Sequence, residues 1–134
     1  MKHKDYSRKA LLYEAFIDVM FLPNEQQEYS DIITMWVGDF EAIMDLIPLN
    51  NEGMYVALAL HYQVDAPWEE REDEPWEADE LELSLNQLLC VKNMLHEKEE
   101  NADKVLLCNI CNDICEIFQK AANGQGSAFI KYYY

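Results

Sequence analysis

The chain has 134 residues, half of them apolar and 12% aromatic, and carries a formal net charge of −16. That much apolar surface offsets the ordering entropy of one domain and excludes a disordered polar chain. A field of one negative sign repels nucleic acid and speeds encounter with cationic proteins.

The run Ala10–Leu22 follows basic residues, but Glu14 and Asp18 interrupt it and no small-residue cleavage site follows, so it does not read as a secretion signal. No apolar stretch reaches the roughly 18 residues of a membrane span. Cytoplasmic residence with reduced thiols is the expectation for the four cysteines. The charge is unevenly placed. Lys2, Lys4, Arg8 and Lys9 crowd the first nine residues, whereas Ala10–Glu70 holds twelve acids and no Lys or Arg.

In chain order, His3 reads as part of a mobile terminus. Ser7 is expected to cap a helix over Arg8–Phe21, stopped by Pro23. This helix is so apolar that it belongs either at the centre of the core or against a second subunit in a homodimer. Asn24–Tyr29 is a polar loop. Ile32–Val37 is rich in β-branched residues, yet Ser30 also suits a helix cap, so residues 30–37 stay open between helix and strand. Asp39 is expected to cap a short helix, Phe40–Ile47, ended by Pro48, with Phe40, Ile43, Met44 and Ile47 on one face. After the turn Asn50–Gly53, Met54–Val64 alternates apolar and polar or small residues. It reads as a half-buried strand, although its Ala and Leu also permit a helix.

Asp65–Glu82 follows, with the sequence DAPWEEREDEPWEADELE. It holds ten carboxylates and one cation, Arg71, and so supplies more than half of the net charge. Asp79–Leu83 alternates and reads as a second strand, which makes a hairpin whose acidic loop at about 65–80 projects into solvent. A long loop with little structure of its own points to function. Trp68 and Trp76 each follow a proline among the acids. Tryptophan within an acidic rim has the composition of an interface hot spot, while the bland alternative is that either ring folds back and pins the loop. The expected partner-binding residues are Trp68, Glu69, Glu70, Glu72, Asp73, Glu74, Trp76, Glu77 and Asp79.

Ser84-x-x-Gln87 fits a capping box, so a helix is expected over Leu85–Glu97. Asn101 is expected to cap the next helix, Ala102–Ala122, and Gly124 to stop it. Within it, Cys108-x2-Cys111-x3-Cys115 has a metal-like spacing, with Cys90 or His96 as a fourth ligand. The same spacing places all three thiols on one side of a helix, inside its apolar stripe. Metal knuckles sit on turns, so core packing is the favoured reading and a Cys-ligated metalloprotein the lesser alternative. Ser127–Tyr134 is aromatic and β-branched, and should add a strand at the edge of the sheet.

Nothing marks a reaction. The phosphate-binding, nucleophile-elbow and metalloprotease motifs are absent, and the acids of 65–82 look solvated rather than paired for general acid work. No catalytic residue, cofactor or metal is expected. The fold class is α+β, with helices packed on one face of a small antiparallel β-sheet in a single domain. In size, acidity and layout over the whole chain, this resembles the immunity proteins of bacterial contact-dependent growth inhibition systems. Those are small, acidic cytosolic α+β domains that cap nuclease toxins. The resemblance implies an antitoxin that binds a basic protein, a nuclease-type toxin domain whose cleft is cationic because it holds phosphates. The alternative is a nucleic-acid mimic that blocks a DNA- or RNA-binding protein. Its carboxylates would need phosphate-like spacing along a ridge, whereas these cluster in one loop.

Overall fold

A computed structural model describes residues 1–7, 15–65 and 74–133. Lys2–Tyr6 (β1), Phe16–Pro23 (β2), Asp31–Trp36 (β3), Trp76–Glu77 (β4) and Gly126–Tyr133 (β5) form one sheet in the order β1-β3-β2-β5-β4. Four helices pack on it: Val37–Met44 (α1), Ala57–Leu60 (α2), Leu81–His96 (α3) and Ala102–Ala122 (α4). A single π-helical turn, His61–Asp65, continues α2. The class is α+β. The sheet is mixed rather than purely antiparallel, because residues 2–6 form an edge strand parallel to β3 where the sequence suggested a mobile terminus. The other pairings are antiparallel. Among the described residues no helix is long and apolar enough to cross a membrane.

The expected N-terminal helix is corrected: residues 16–23 are a strand, and Arg8–Glu14 of that expectation lie outside the described residues. β2 is bonded on both sides, by β3 and β5. Ile17, Val19 and Phe21 are buried on the helix-facing side, and Met20 is buried on the other. A strand apolar on both faces loses its period-two signature and resembles a buried helix in sequence. The open question over 30–37 resolves to a strand that passes directly into α1. Asp39 does not cap α1. It lies in the first turn, where its charge suits the helix dipole, and Trp36 holds the cap position without a side-chain bond. Phe40, Ile43, Met44 and Ile47 are buried together, as their spacing predicts.

The proposed hairpin fails in both of its strands. Met54–Val64 is not a strand: Ala57–Leu60 is helical, built from good helix formers, and the π turn follows. Asp79–Leu83 is not a strand either, since α3 begins at Leu81. The acidic stretch therefore follows helical turns, contains the two-residue strand β4 and runs into the first turn of α3. Ser84 sits inside α3, fully buried, instead of capping it.

The C-terminal third follows its sequence closely. The Asn101 side chain accepts from the Lys104 N–H at 2.8 Å and caps α4. Gly124, at φ +79°, closes it with a Schellman pair of bonds, Gly124 N–H to Ala121 O at 3.0 Å and Gln125 N–H to Lys120 O at 3.1 Å. The chain then returns as β5, which is an inner strand and not an edge. At its start Gly126 allows a close approach to β2, since a Cβ there would stand 2.2 Å from the Leu22 carbonyl oxygen. Ile17, Val19, Ile33, Met35, Ala128 and Ile130 of the sheet join Phe40, Leu58, Leu88, Ile110, Ile114 and Phe118 of the helices in one core.

Candidate partner-binding surface

The chain's few cations are used selectively. β1 turns Lys4 and Tyr6 toward α4, where the Lys4 ammonium bonds Asp113 at 2.8 Å and the Tyr6 hydroxyl donates to the other Asp113 oxygen. Lys120 reaches from α4 to Asp31 on β3 at 2.7 Å, and Lys104 bonds Glu100 at 2.7 Å. These pairs leave a mark on ionisation. The hydrogen bond that it donates to Asp113 raises the Lys4 ammonium above its ordinary value. Burial, with help from Asp113, pushes Tyr6 up to about 12. Burial pushes Asp31 upward, but the hydrogen bond and charge of Lys120 outweigh it and hold the carboxyl below its usual value. The N-terminal cations thus neutralise acids of α4, a role hidden from a reading that placed His3 in a mobile terminus.

A second polar cluster lies on the sheet face away from the helices. Thr34 Oγ1 donates to Asp18 Oδ1 at 2.6 Å and meets His3 Nε2 at 2.8 Å. Because the threonine proton goes to Asp18, His3 acts as donor to the hydroxyl. An activated nucleophile needs the reverse, a base that takes the hydroxyl proton. Burial raises the Asp18 carboxyl. The cluster reads as a satisfied strand network. The three cysteines of α4 are likewise structural in their setting: Cys108, Cys111 and Cys115 are buried, and Cys111 Sγ donates to the Leu88 carbonyl of α3 at 3.4 Å. All four cysteines are free thiols.

The acidic stretch differs from both. Trp76 sits opposite Ile130 of β5 and turns to the core, so the adjacent Glu77 turns outward. The Trp76 ring stacks on the buried His61, with centroids 3.4 Å apart and planes 7° from parallel. This stack joins the chain ahead of residue 66 to the chain after residue 73 at one point of the core. Ala78 is buried, and its N–H bonds the Ala128 carbonyl at 2.8 Å. Around this anchorage Glu74, Glu77, Asp79, Glu80 and Glu82 are exposed, and none forms an ion pair among the described residues.

Of the residues expected to bind a partner, Glu74, Glu77 and Asp79 are thus exposed side by side on a fixed base. Trp76 is half-buried, and its ring face is occupied by His61; it has the pinning role that the sequence allowed one of the two tryptophans. Trp68, Glu69, Glu70, Glu72 and Asp73 lie outside the described residues. Two residues were missed. Glu80 and Glu82 belong to the same exposed acidic surface but were hidden inside an expected strand; reading 79–83 as a helix start, with acids in its first turn, finds them. His61, which holds the Trp76 ring from inside the core, carries no sequence signal of that role, because nothing in its spacing links it to residue 76. No protein-family model, curated protein or solved structure matches the chain.

Proposed function

We propose that this protein binds and neutralises a basic protein, a nuclease-type toxin domain in the manner of the immunity proteins it resembles. One observation carries the reading. Acids on α4 and β3 are neutralised by cations from within the chain, whereas Glu74, Glu77, Asp79, Glu80 and Glu82 are exposed and unpaired among the described residues. Crowded like charges raise each other's energy and are relieved by an external cationic surface. Such rim charges act mainly on encounter, and salt screens them beyond about 8 Å at physiological ionic strength.

Co-expression with a nuclease-type toxin domain, sought first among the genes that neighbour its own, tests the reading, followed by surface plasmon resonance on the purified pair. The protein should restore growth. Reversing Glu74, Glu77, Asp79 and Glu82 to Lys should slow association about tenfold or more at low salt and much less at high salt. An unchanged association rate at both salts removes this surface from the interface. No rescue and no binding refute the function.

A further inference from the structure

Between the loop after α1 and the first turns of α3 lies a groove of about 210 Å³, lined by Pro48, Leu49, Val56, Leu83, Gln87 and Cys90 among others. Its apolar wall is left to water, with Leu49 49% exposed and Leu83 43%; Met54 and Tyr55, which precede the lining residue Val56 in the chain but do not line the groove, are exposed as well. Single exposed apolar residues are ordinary, but a contiguous set beside a groove marks an interaction site.

The groove is built to hold its shape. The Gln87 side chain grips the backbone opposite, donating to the Val56 carbonyl at 2.8 Å and accepting from the Leu58 N–H at 3.1 Å. Asn50 Oδ1 accepts from the N–H groups of Glu52 and Met54 at 3.0 and 2.9 Å and fixes the turn that carries Leu49 and Met54. Ala57 and Glu80, next to Val56 and close before Leu83, have φ of +52° and +45°. Non-glycine residues persist in this left-handed region only where the surroundings over-determine them, and such strain collects at binding sites.

Charge selects the occupant. Glu52 sits on the turn, Glu82 adjoins Leu83 and Glu80 precedes it, all three exposed, while no Lys or Arg occurs from Ala10 to Glu70. An acidic partner would be repelled and a neutral one would gain nothing from the rim. We propose that the groove seats an apolar side chain presented by a cationic segment of the basic partner, with Lys or Arg flanking a Leu, Ile or aromatic residue. This rests on the basic-partner reading and adds a division of labour: the acids set the rate of encounter, and the groove sets the lifetime of the complex.

Three synthetic 18-residue amphipathic peptides test it: Leu/Lys, Gln/Lys of the same charge, and Leu/Gln without charge. Affinity is read by calorimetry. Occupancy of the groove is read by the alkylation rate of Cys90, since the other three thiols are buried. The Leu/Lys peptide should bind and slow Cys90 alkylation. Changing the exposed pair Leu49→Gln and Leu83→Gln should weaken that peptide about tenfold or more and leave the Gln/Lys peptide unchanged. A thermal melt confirms that the variant is folded. Equal affinity of the Leu/Lys peptide for both proteins, or unslowed alkylation, overturns the groove and leaves the basic-partner reading standing. Leu/Gln binding as tightly as Leu/Lys overturns the cationic occupant. If no peptide binds, the groove proposal is refuted, and the toxin co-expression decides the basic-partner reading by itself.

Discussion

α4 and the stretch from Met54 to Leu83 make an instructive pair. In α4 every local signal agrees: Asn101 caps it, Gly124 closes it, and Cys108, Ile110, Cys111, Ile114, Cys115, Ile117 and Phe118 form one buried stripe. From Met54 to Leu83 the signals conflict. Alternation argues for strand, Ala57–Leu60 argues for helix, and a capping-box pattern points to Ser84 although α3 begins at Leu81. Local chemistry specifies structure where its parts concur; where they disagree, the core and the long-range bonds decide. Here the deciding contacts are Leu58 in the core, Gln87 on the Val56–Leu58 backbone, and Trp76 on His61. The same stretch holds the exposed acids and the strained Ala57 and Glu80, and it supplies Val56 and Leu83 to the groove. Natural sequences break local consistency most often where binding is at stake.

The largest test of the comparison removes what both regions lean on. β5 lies between β2 and β4 and supplies Ala128, Ile130 and Tyr132 to the core. A chain ending at Gln125 should lose its cooperative thermal transition and its amide dispersion in a 15N spectrum. A transition lowered by only a few degrees would mean that β5 matters no more than an edge strand.

Next in size is a paired substitution. Phe118 is fully buried in α4, and Phe118→Ala should cost roughly 3–5 kcal/mol by urea denaturation. Trp76 is half-buried at the margin of the core and stacked on His61, so Trp76→Ala should cost less, about 1–2 kcal/mol. Hydrogen exchange sharpens the contrast. Loss of Trp76 should speed exchange around residues 57–65 and 76–78 and leave α4 protected. Equal costs, or exchange that rises in α4 as well, would show that the two regions unfold as one unit.

How far the sequence is legible follows from the same physics. The α+β class, α4 with both caps, the buried face of α1, and β5 as a strand all rest on local periodicity and cap chemistry, which a sequence displays. β2 was misread because it carries apolar residues on both faces, with Asp18 alone breaking the outward one, and such a central strand reads like a buried helix. The parallel edge strand β1 was missed because its stability comes from β3 and from the Lys4 and Tyr6 bonds to Asp113, more than a hundred residues away. For the candidate surface, acidity and its place in the chain were legible. The groove was not, because it is assembled from residues 48–56 and 83–90, which only the packing of α2 on α3 brings together.

The smallest expected effect concerns Glu80, which holds the cap position of α3 at φ +45° and makes no side-chain cap bond there. A left-handed conformation costs an ordinary residue roughly 1–2 kcal/mol, and Asn bears it more easily because its short side chain bonds locally. Glycine bears it too, but its unfolded chain has more freedom to lose, which cancels part of the gain. The expected order of stability is therefore Glu80→Asn, then Glu80→Gly, then the natural chain, with roughly 0.5–1 kcal/mol between the extremes. Urea denaturation should move its midpoint and keep its slope, since the surface exposed on unfolding does not change. Removing one rim acid should also lower the association rate with a basic partner slightly, at low salt only. A natural chain more stable than both variants would mean that the Glu80 backbone is not strained, and α3 would then begin on terms as consistent as those of α4.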